Sequence, residues 1–134
     1  FLDHISIVIS GISEGDERRN IDNLMTNLRK LVEEVNCGMF VVSHLKRVDS
    51  KTGHEEGIQT SLSHLRGSHS LAQLSDAVIG FERDQQSETE NNIMTVRVLK
   101  NRFTGDTGVA CDLIWNKDTG RLVEGNFDEW SNFN

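Results

Sequence analysis

The chain has 134 residues, the size of one ordinary domain, and carries 14 Lys and Arg against 21 Asp and Glu, a net charge of −7 at pH 7. That balance excludes a uniformly basic nucleic-acid binder, so any DNA contact has to come from a local basic patch. A content of 36% apolar and 26% charged residues argues against global disorder, two cysteines are too few for a disulfide framework and point to a reducing compartment, and no apolar run reaches the roughly 18 residues that a membrane span requires.

The chain opens Phe1-Leu2-Asp3, without Met and without a secretory leader, and is expected to be a piece of a longer one. Leu2, Ile5, Ile7, Val8 and Ile9 dominate residues 1–10, and pattern alone predicts a buried strand. Gly11 to Asp16 reads as a turn, with Ser13 and Asp16 at capping-box spacing. Over residues 17–36, Ile21, Leu24, Met25, Leu28, Leu31, Val32 and Val35 recur at steps of three and four and predict an amphipathic helix, with Gly38 at a left-handed C-cap. Met39 to Ser43 follows as a short strand, giving an αβ unit of the parallel kind. Residues 46–60 read as a long polar loop, and residues 68–75 allow a short helix through Leu71 and Leu74. Strands are expected at 77–81, 93–100 and 109–115 and again from Arg121, with turns at Thr104–Gly108 and Asp118–Gly120. The order predicts an α/β fold: a mixed sheet with a parallel centre and antiparallel hairpins at the end.

Asp3 stands at the end of an apolar run, where open α/β sheets place ligand groups and where an Asp can hold Mg²⁺ directly or through water. His44 stands in the same way behind Phe40-Val41-Val42-Ser43 and opens the polar loop, so it can sense a phosphate or act as a base. Lys46, Arg47, Lys51 and Arg66 form the densest basic stretch and suit a phosphate backbone, although Glu55 and Glu56 dilute it. His54, His64 and His69 do not match His-Glu-x-x-His spacing, and no Cys pair supports a structural metal. Arg102 lies at the tip of a Gly-rich hairpin, as an arginine finger must. Each feature taken alone also fits an ordinary strand-end or surface residue. The chain contains no Gly-x-x-x-x-Gly-Lys-Ser/Thr phosphate loop.

Together the segments Leu2-Asp3-His4-Ile5-Ser6-Ile7-Val8, Asp16-Glu17-Arg18-Arg19, Ile21-Asp22-Asn23-Leu24-Met25, Ser43-His44-Leu45-Lys46, His54-Glu55-Glu56-Gly57, Leu65-Arg66-Gly67-Ser68, Gln73-Leu74-Ser75-Asp76, Glu82-Arg83-Asp84-Gln85-Gln86 and Lys100-Asn101-Arg102-Phe103-Thr104-Gly105-Asp106-Thr107-Gly108 resemble one family. It is the replicative hexameric DNA helicases of the DnaB-like and Twinkle kind, in particular the bifunctional helicase–primases of short-tailed phages. The resemblance implies the C-terminal half of a RecA-like motor domain over residues 1–123, lacking the phosphate-loop half, and an acidic aromatic tail over 124–134. It implies that Asp3 is the Walker B acid holding Mg²⁺ through water and that His44 is the γ-phosphate sensor. Lys46, Arg47 and Lys51 would lie in the central DNA-binding loop, where Ser50 and Thr52 stand in place of Lys. Arg66 and Gln73 would belong to the motif linking DNA to nucleotide, and Arg102 would reach the neighbouring subunit's site. Arg83 and Trp115 would sandwich the nucleotide base, Trp115 replacing Tyr. The resemblance also implies that residues 4–10 form an apolar connection rather than the strand that pattern suggests.

The implied parent couples hydrolysis of ATP or dTTP, with Mg²⁺, to movement on single-stranded DNA and duplex unwinding. It works as a hexameric ring in the cytoplasm of an infected bacterium, with no membrane partner. The chain by itself is expected to be inactive as an enzyme. Trp130 and Phe133, in a tail carrying Glu124, Asp128 and Glu129, are expected to dock on the replicative DNA polymerase. The other readings of the same residues are a non-catalytic DNA- or polymerase-binding module and a RecA-like recombinase ATPase. An upstream phosphate loop separates motor from module, and an upstream primase zinc region separates helicase–primase from recombinase.

Overall fold

The computed structural model describes residues 1–11, 16–47, 53–66 and 69–125, which form two compact units. The first joins Phe1–Arg47 to Ser61–Asp76, and the second joins Val48–Thr60 to Ala77–Asn134.

The first unit begins with a correction. Residues Ile5–Ser10 form a helix, α1, not the strand that the β-branched run suggests. Its two buried residues, Ile5 and Ile9, are four apart and meet the core from one helical face. Their burial outweighs the few tenths of a kcal/mol per residue by which β-branched side chains disfavour a helix. The connection implied after Asp3 is therefore apolar and helical. The second helix, α2, runs over Glu17–Val35. Asp16 is its N-cap, accepting from the Arg18 amide at 3.0 Å; Ser13, its expected partner in a capping box, lies outside the described residues. The helix ends at Asn36 in the left-handed conformation (φ 53°), two residues before Gly38, because Asn tolerates that geometry. The third helix, α3, covers His69–Leu74.

Ile5 and Ile9 of α1, Ile21 and Met25 of α2 and Leu71 of α3 form the buried cluster, with Leu24, Leu28, Val41, Leu65 and Leu74 packed on it. Leu31 and Val35, also on the apolar stripe of α2, stay exposed. Arg29 of α2 donates to Asp76 at 2.8 Å and to Glu33 at 2.9 Å. The expected strand at Met39–Ser43 is extended and carries an isolated parallel bridge between Val41 and Leu2; just beyond it, Leu45 bridges Leu65 antiparallel. Among the described residues the parallel pairing is this one bridge, held by the Leu2 and Val42 amides.

The second unit is a four-stranded antiparallel meander in sequence order: β1 (Ala77–Glu82), β2 (Ile93–Asn101), β3 (Gly108–Asn116) and β4 (Arg121–Glu124). These match the predicted strands to within two residues. Two bulges, at Val78/Ile79 and Val96/Arg97, shift the register and explain the imperfect alternation of residues 93–100. In β1 the polarity is inverted. Ile79 and Phe81 are 50% and 58% exposed, while Glu82 is 8% exposed. The buried acid is held by Arg97 and by Thr60, a residue of the loop that precedes α3. Thr95 donates to Asp112 at 2.6 Å on the neighbouring strand pair, continuing the polar stripe.

Candidate nucleotide and DNA site

The first unit gathers the acid, the histidine and the basic groups around one extended segment. The Leu2 amide donates to Phe40 O at 2.8 Å, the Val42 amide to Leu2 O at 2.9 Å and the Ile5 amide to Val42 O at 3.0 Å. Asp3 and His44 thereby stand just beyond two segments joined by a parallel bridge, the kind of position where open α/β sheets place ligand groups. Both are exposed. The peptide between Asp3 and His4 is cis. The His4 ring meets the His44 ring edge to face, with centroids 4.2 Å apart. This contact was not expected from the sequence, since nothing in the local pattern pairs residues forty positions apart.

On the other side of the same segment, the Lys46 amide donates to His64 O at 2.8 Å and the Arg66 amide donates to His44 O at 3.2 Å. The sensor candidate and the Arg66 candidate therefore share a backbone bond. Lys46 and Arg47 are exposed. Arg66 makes a surface pair with Glu17 at 3.3 Å, both side chains about half exposed. Such a pair is worth about 1 kcal/mol or less, so a phosphate can displace the carboxylate cheaply. Gln73 is exposed on α3. Lys51, Ser50 and Thr52 lie outside the described residues, as do Phe127, Trp130 and Phe133 of the tail.

The second unit carries the other candidates at its two ends. Arg83 follows β1 and its Nε donates to Asn91 O at 2.6 Å. The Trp115 amide donates to Asn92 O at 2.8 Å. Both base-contact candidates are thus tied to the same dipeptide, Asn91-Asn92. A hollow of about 560 Å³ opens beside Trp115, lined also by Asn91, Asn92, Ile114, Lys117 and Asp118, though not by Arg83. The ring of Trp115 lies over the turn at Gly120, whose positive φ of 64° permits the chain reversal.

Arg102 lies at the opposite end of β2, in the hairpin to β3. The tip is built by Asn101, whose Oδ1 accepts from the Phe103 amide at 3.1 Å and whose Nδ2 donates to Thr104 Oγ1 at 2.9 Å. The Gly105 amide closes the turn on Asn101 O at 2.9 Å, with φ 79° at Gly105. Arg102 is exposed on this braced turn. The sequence singled out the glycines but missed Asn101, whose position just before a turn is the signal. The length of β2 separates Arg102 from the Arg83 and Trp115 end by about 25 Å. One nucleotide cannot touch both ends of the same sheet.

Among the described residues, no group of three or more His, Cys, Asp or Glu side chains is placed to hold a metal. None of the described helices is long and apolar enough to cross a membrane. Asp3 offers a single exposed carboxylate, and hard oxygen is the donor that Mg²⁺ takes when most of its shell is water and phosphate.

Comparison with known proteins gives three findings. The family model of the DnaB-like helicase C-terminal domain matches residues 1–124. The chain is 48% identical over 121 residues to a DNA helicase/primase of Enterobacteria phage T3, a match covering 90% of this chain and 21% of that protein. The chain thus spans about a fifth of the length of that relative. A solved structure of a DnaB-like replicative helicase, described with its interactions with primase, superposes with a TM-score of 0.68 at 24% identity, covering 86% of this chain and 27% of that one. That last likeness is one of fold.

Proposed function

The chain belongs to the DnaB-like helicase C-terminal domain family, and from that premise we propose that it is the C-terminal part of the RecA-like motor of a phage replicative helicase. The parent protein would couple hydrolysis of ATP or dTTP to movement on single-stranded DNA and to duplex unwinding, as a hexameric ring in the cytoplasm of an infected bacterium. The observation that carries this reading is the parallel pairing of Leu2 with Val41, beyond which Asp3 and His44 follow in the same direction, while the Arg66 amide bonds the His44 carbonyl.

In this reading Asp3 would hold Mg²⁺ through water, and the bound ion would neutralise charge on the phosphates. His44 would face the terminal phosphate. A displacement of its backbone would pass directly to Arg66 and, through residue 45, to Lys46. Lys46, Arg47 and Lys51 would track the DNA backbone, with Arg66 and Gln73 beside them. Arg83 and Trp115 would hold the base by stacking and cation–π attraction, for which an indole is at least as good as a phenol. Arg102 would serve the neighbouring subunit, because the sheet is too long for it to serve its own.

The intact parent should hydrolyse NTP faster on single-stranded DNA and displace an annealed strand. The chain by itself should show no turnover, since it contains no phosphate-cradling loop. Binding of DNA by the parent without any hydrolysis would leave a binding module, and strand exchange without unwinding would leave a recombinase. In the parent, Lys46→Ala with Lys51→Ala should weaken single-strand binding and lower the slope of log K against log salt by about 0.7 for each lost phosphate contact. An unchanged slope would remove the loop from the backbone.

The tail is proposed to dock on the replicative polymerase, its acidic residues meeting a basic patch and Trp130 and Phe133 filling an apolar pocket. Deleting residues 127–134 should weaken polymerase capture and spare NTP hydrolysis. Capture at full strength after the deletion would reject the docking role.

A further inference from the structure

The arm of the basic loop that leads to Thr60 is fastened to the strand end that carries Arg83, on both sides of that residue. On one side stands Glu82. Thr60 is 2% exposed, and its amide and its hydroxyl each donate to Glu82 Oε1 at 2.7 Å. Arg97 grips the same carboxylate from β2, with Nε at 2.7 Å from Oε1 and Nη2 at 3.0 Å from Oε2. Gly80 lets Thr60 in, since a Cβ at that position would collide with Thr60 Oγ1. On the other side, Glu56 bridges Asp84, and the Gln85 amide donates to Glu55 O at 2.8 Å. Gly57 turns here with φ 72°, and a Cβ on it would come within 3.0 Å of Asp84 Cβ.

Residues 55–60 and 82–85 therefore cannot separate without breaking a buried, charge-assisted network and a backbone pairing. A surface loop with no duty beyond binding DNA does not need a buried carboxylate at its foot. We propose that Thr60, Glu82 and Arg97 form a coupling clamp: positioning residues that make the trailing arm of the DNA loop and the base contact Arg83 move as one body. The clamp gives DNA occupancy a direct route to nucleotide affinity. This rests on the motor reading above, which supplies the roles of the loop and of Arg83.

The test uses the intact parent with Thr60→Val, which removes the hydroxyl, Thr60→Ser, which keeps it, and Glu82→Gln, which weakens the grip on Arg97. Amide hydrogen exchange is followed at residues 54–60 and 83–85, and the KM for NTP is measured with and without single-stranded DNA. In Thr60→Val both segments should exchange about tenfold faster together. The change in KM caused by DNA should shrink to less than about a third of its wild-type size, with DNA-free kcat within about twofold. Glu82→Gln should act in the same direction, and Thr60→Ser should restore both readouts. Faster exchange in one segment alone, or an unchanged response of KM to DNA once both segments loosen, overturns the coupling. If the wild-type parent hydrolyses NTP without regard to DNA, the motor reading fails on that control, and the exchange result still decides whether the two segments move together.

Discussion

Replacing Arg102 by Ala in the intact parent is expected to leave nucleotide binding within about twofold and to cut turnover by about 10³ or more, the loss seen when an arginine finger is removed. The structural ground is the length of the sheet. Arg83 and Trp115 lie where β2 begins, and Arg102 lies beyond its end, about 25 Å away. If the first pair holds the subunit's own nucleotide, Arg102 reaches a different one. Mixing Arg102→Ala protein with Asp3→Asn protein should then restore part of the hydrolysis, because some mixed interfaces pair an intact acid with an intact finger. Absence of recovery at every mixing ratio would show that the finger acts within its own subunit or not at all. Asn101→Ala provides the graded control. It keeps Arg102 but removes the bonds from Phe103 and to Thr104 that brace the tip, and a loss of about 10- to 100-fold is expected from misplacement alone.

The second large effect concerns stability. Glu82→Ala should destabilise the folded protein by about 3 kcal/mol, read from denaturant unfolding, because it leaves Arg97 and two donors of Thr60 without their acceptor. Burial alone would push the Glu82 carboxyl upward, but the hydrogen bonds from Arg97 and Thr60 outweigh it and hold the group below its ordinary value of 4.5. The same pair raises Arg97 still further above its usual range. A carboxylate depressed in the folded state stabilises fully above its unfolded value, and that contribution is lost as pH falls through the lower folded value. The stability gap between wild type and Glu82→Gln should thus be constant from neutrality to about pH 5 and narrow below it. A gap that persists undiminished into strong acid would mean that the carboxylate charge contributes nothing.

Much of the fold was legible in the chain. The stripe from Ile21 to Val35 specified α2, because a period near 3.6 satisfies a core only as a helix. The alternating runs and their Gly-rich turns specified the meander, because strands and tight turns each have narrow residue requirements. The family, too, lay in the residues: nine short segments in order pointed to the DnaB-like helicases, and the match over residues 1–124 bears that out.

What remained hidden depended on partners distant in sequence. Residues 5–10 were β-branched enough for a strand, and only a core that receives Ile5 and Ile9 from one side made them helical. The segment at Met39–Ser43 had the composition of a strand, but its parallel partner, Leu2, lies some forty residues away, and no local pattern could name it. Glu82 extends by one residue the strand that pattern ended at Phe81, and nothing in its local pattern marked it as buried. Its burial is tolerable solely because Arg97, fifteen residues on, and Thr60, twenty-two residues back, converge on its two oxygens. Local propensity and periodicity fix which element forms and which face it offers, because those depend on neighbours three or four residues away. Which charge meets which, and which end of a sheet faces which ligand, is decided by long-range register, and that exists only once the chain has folded.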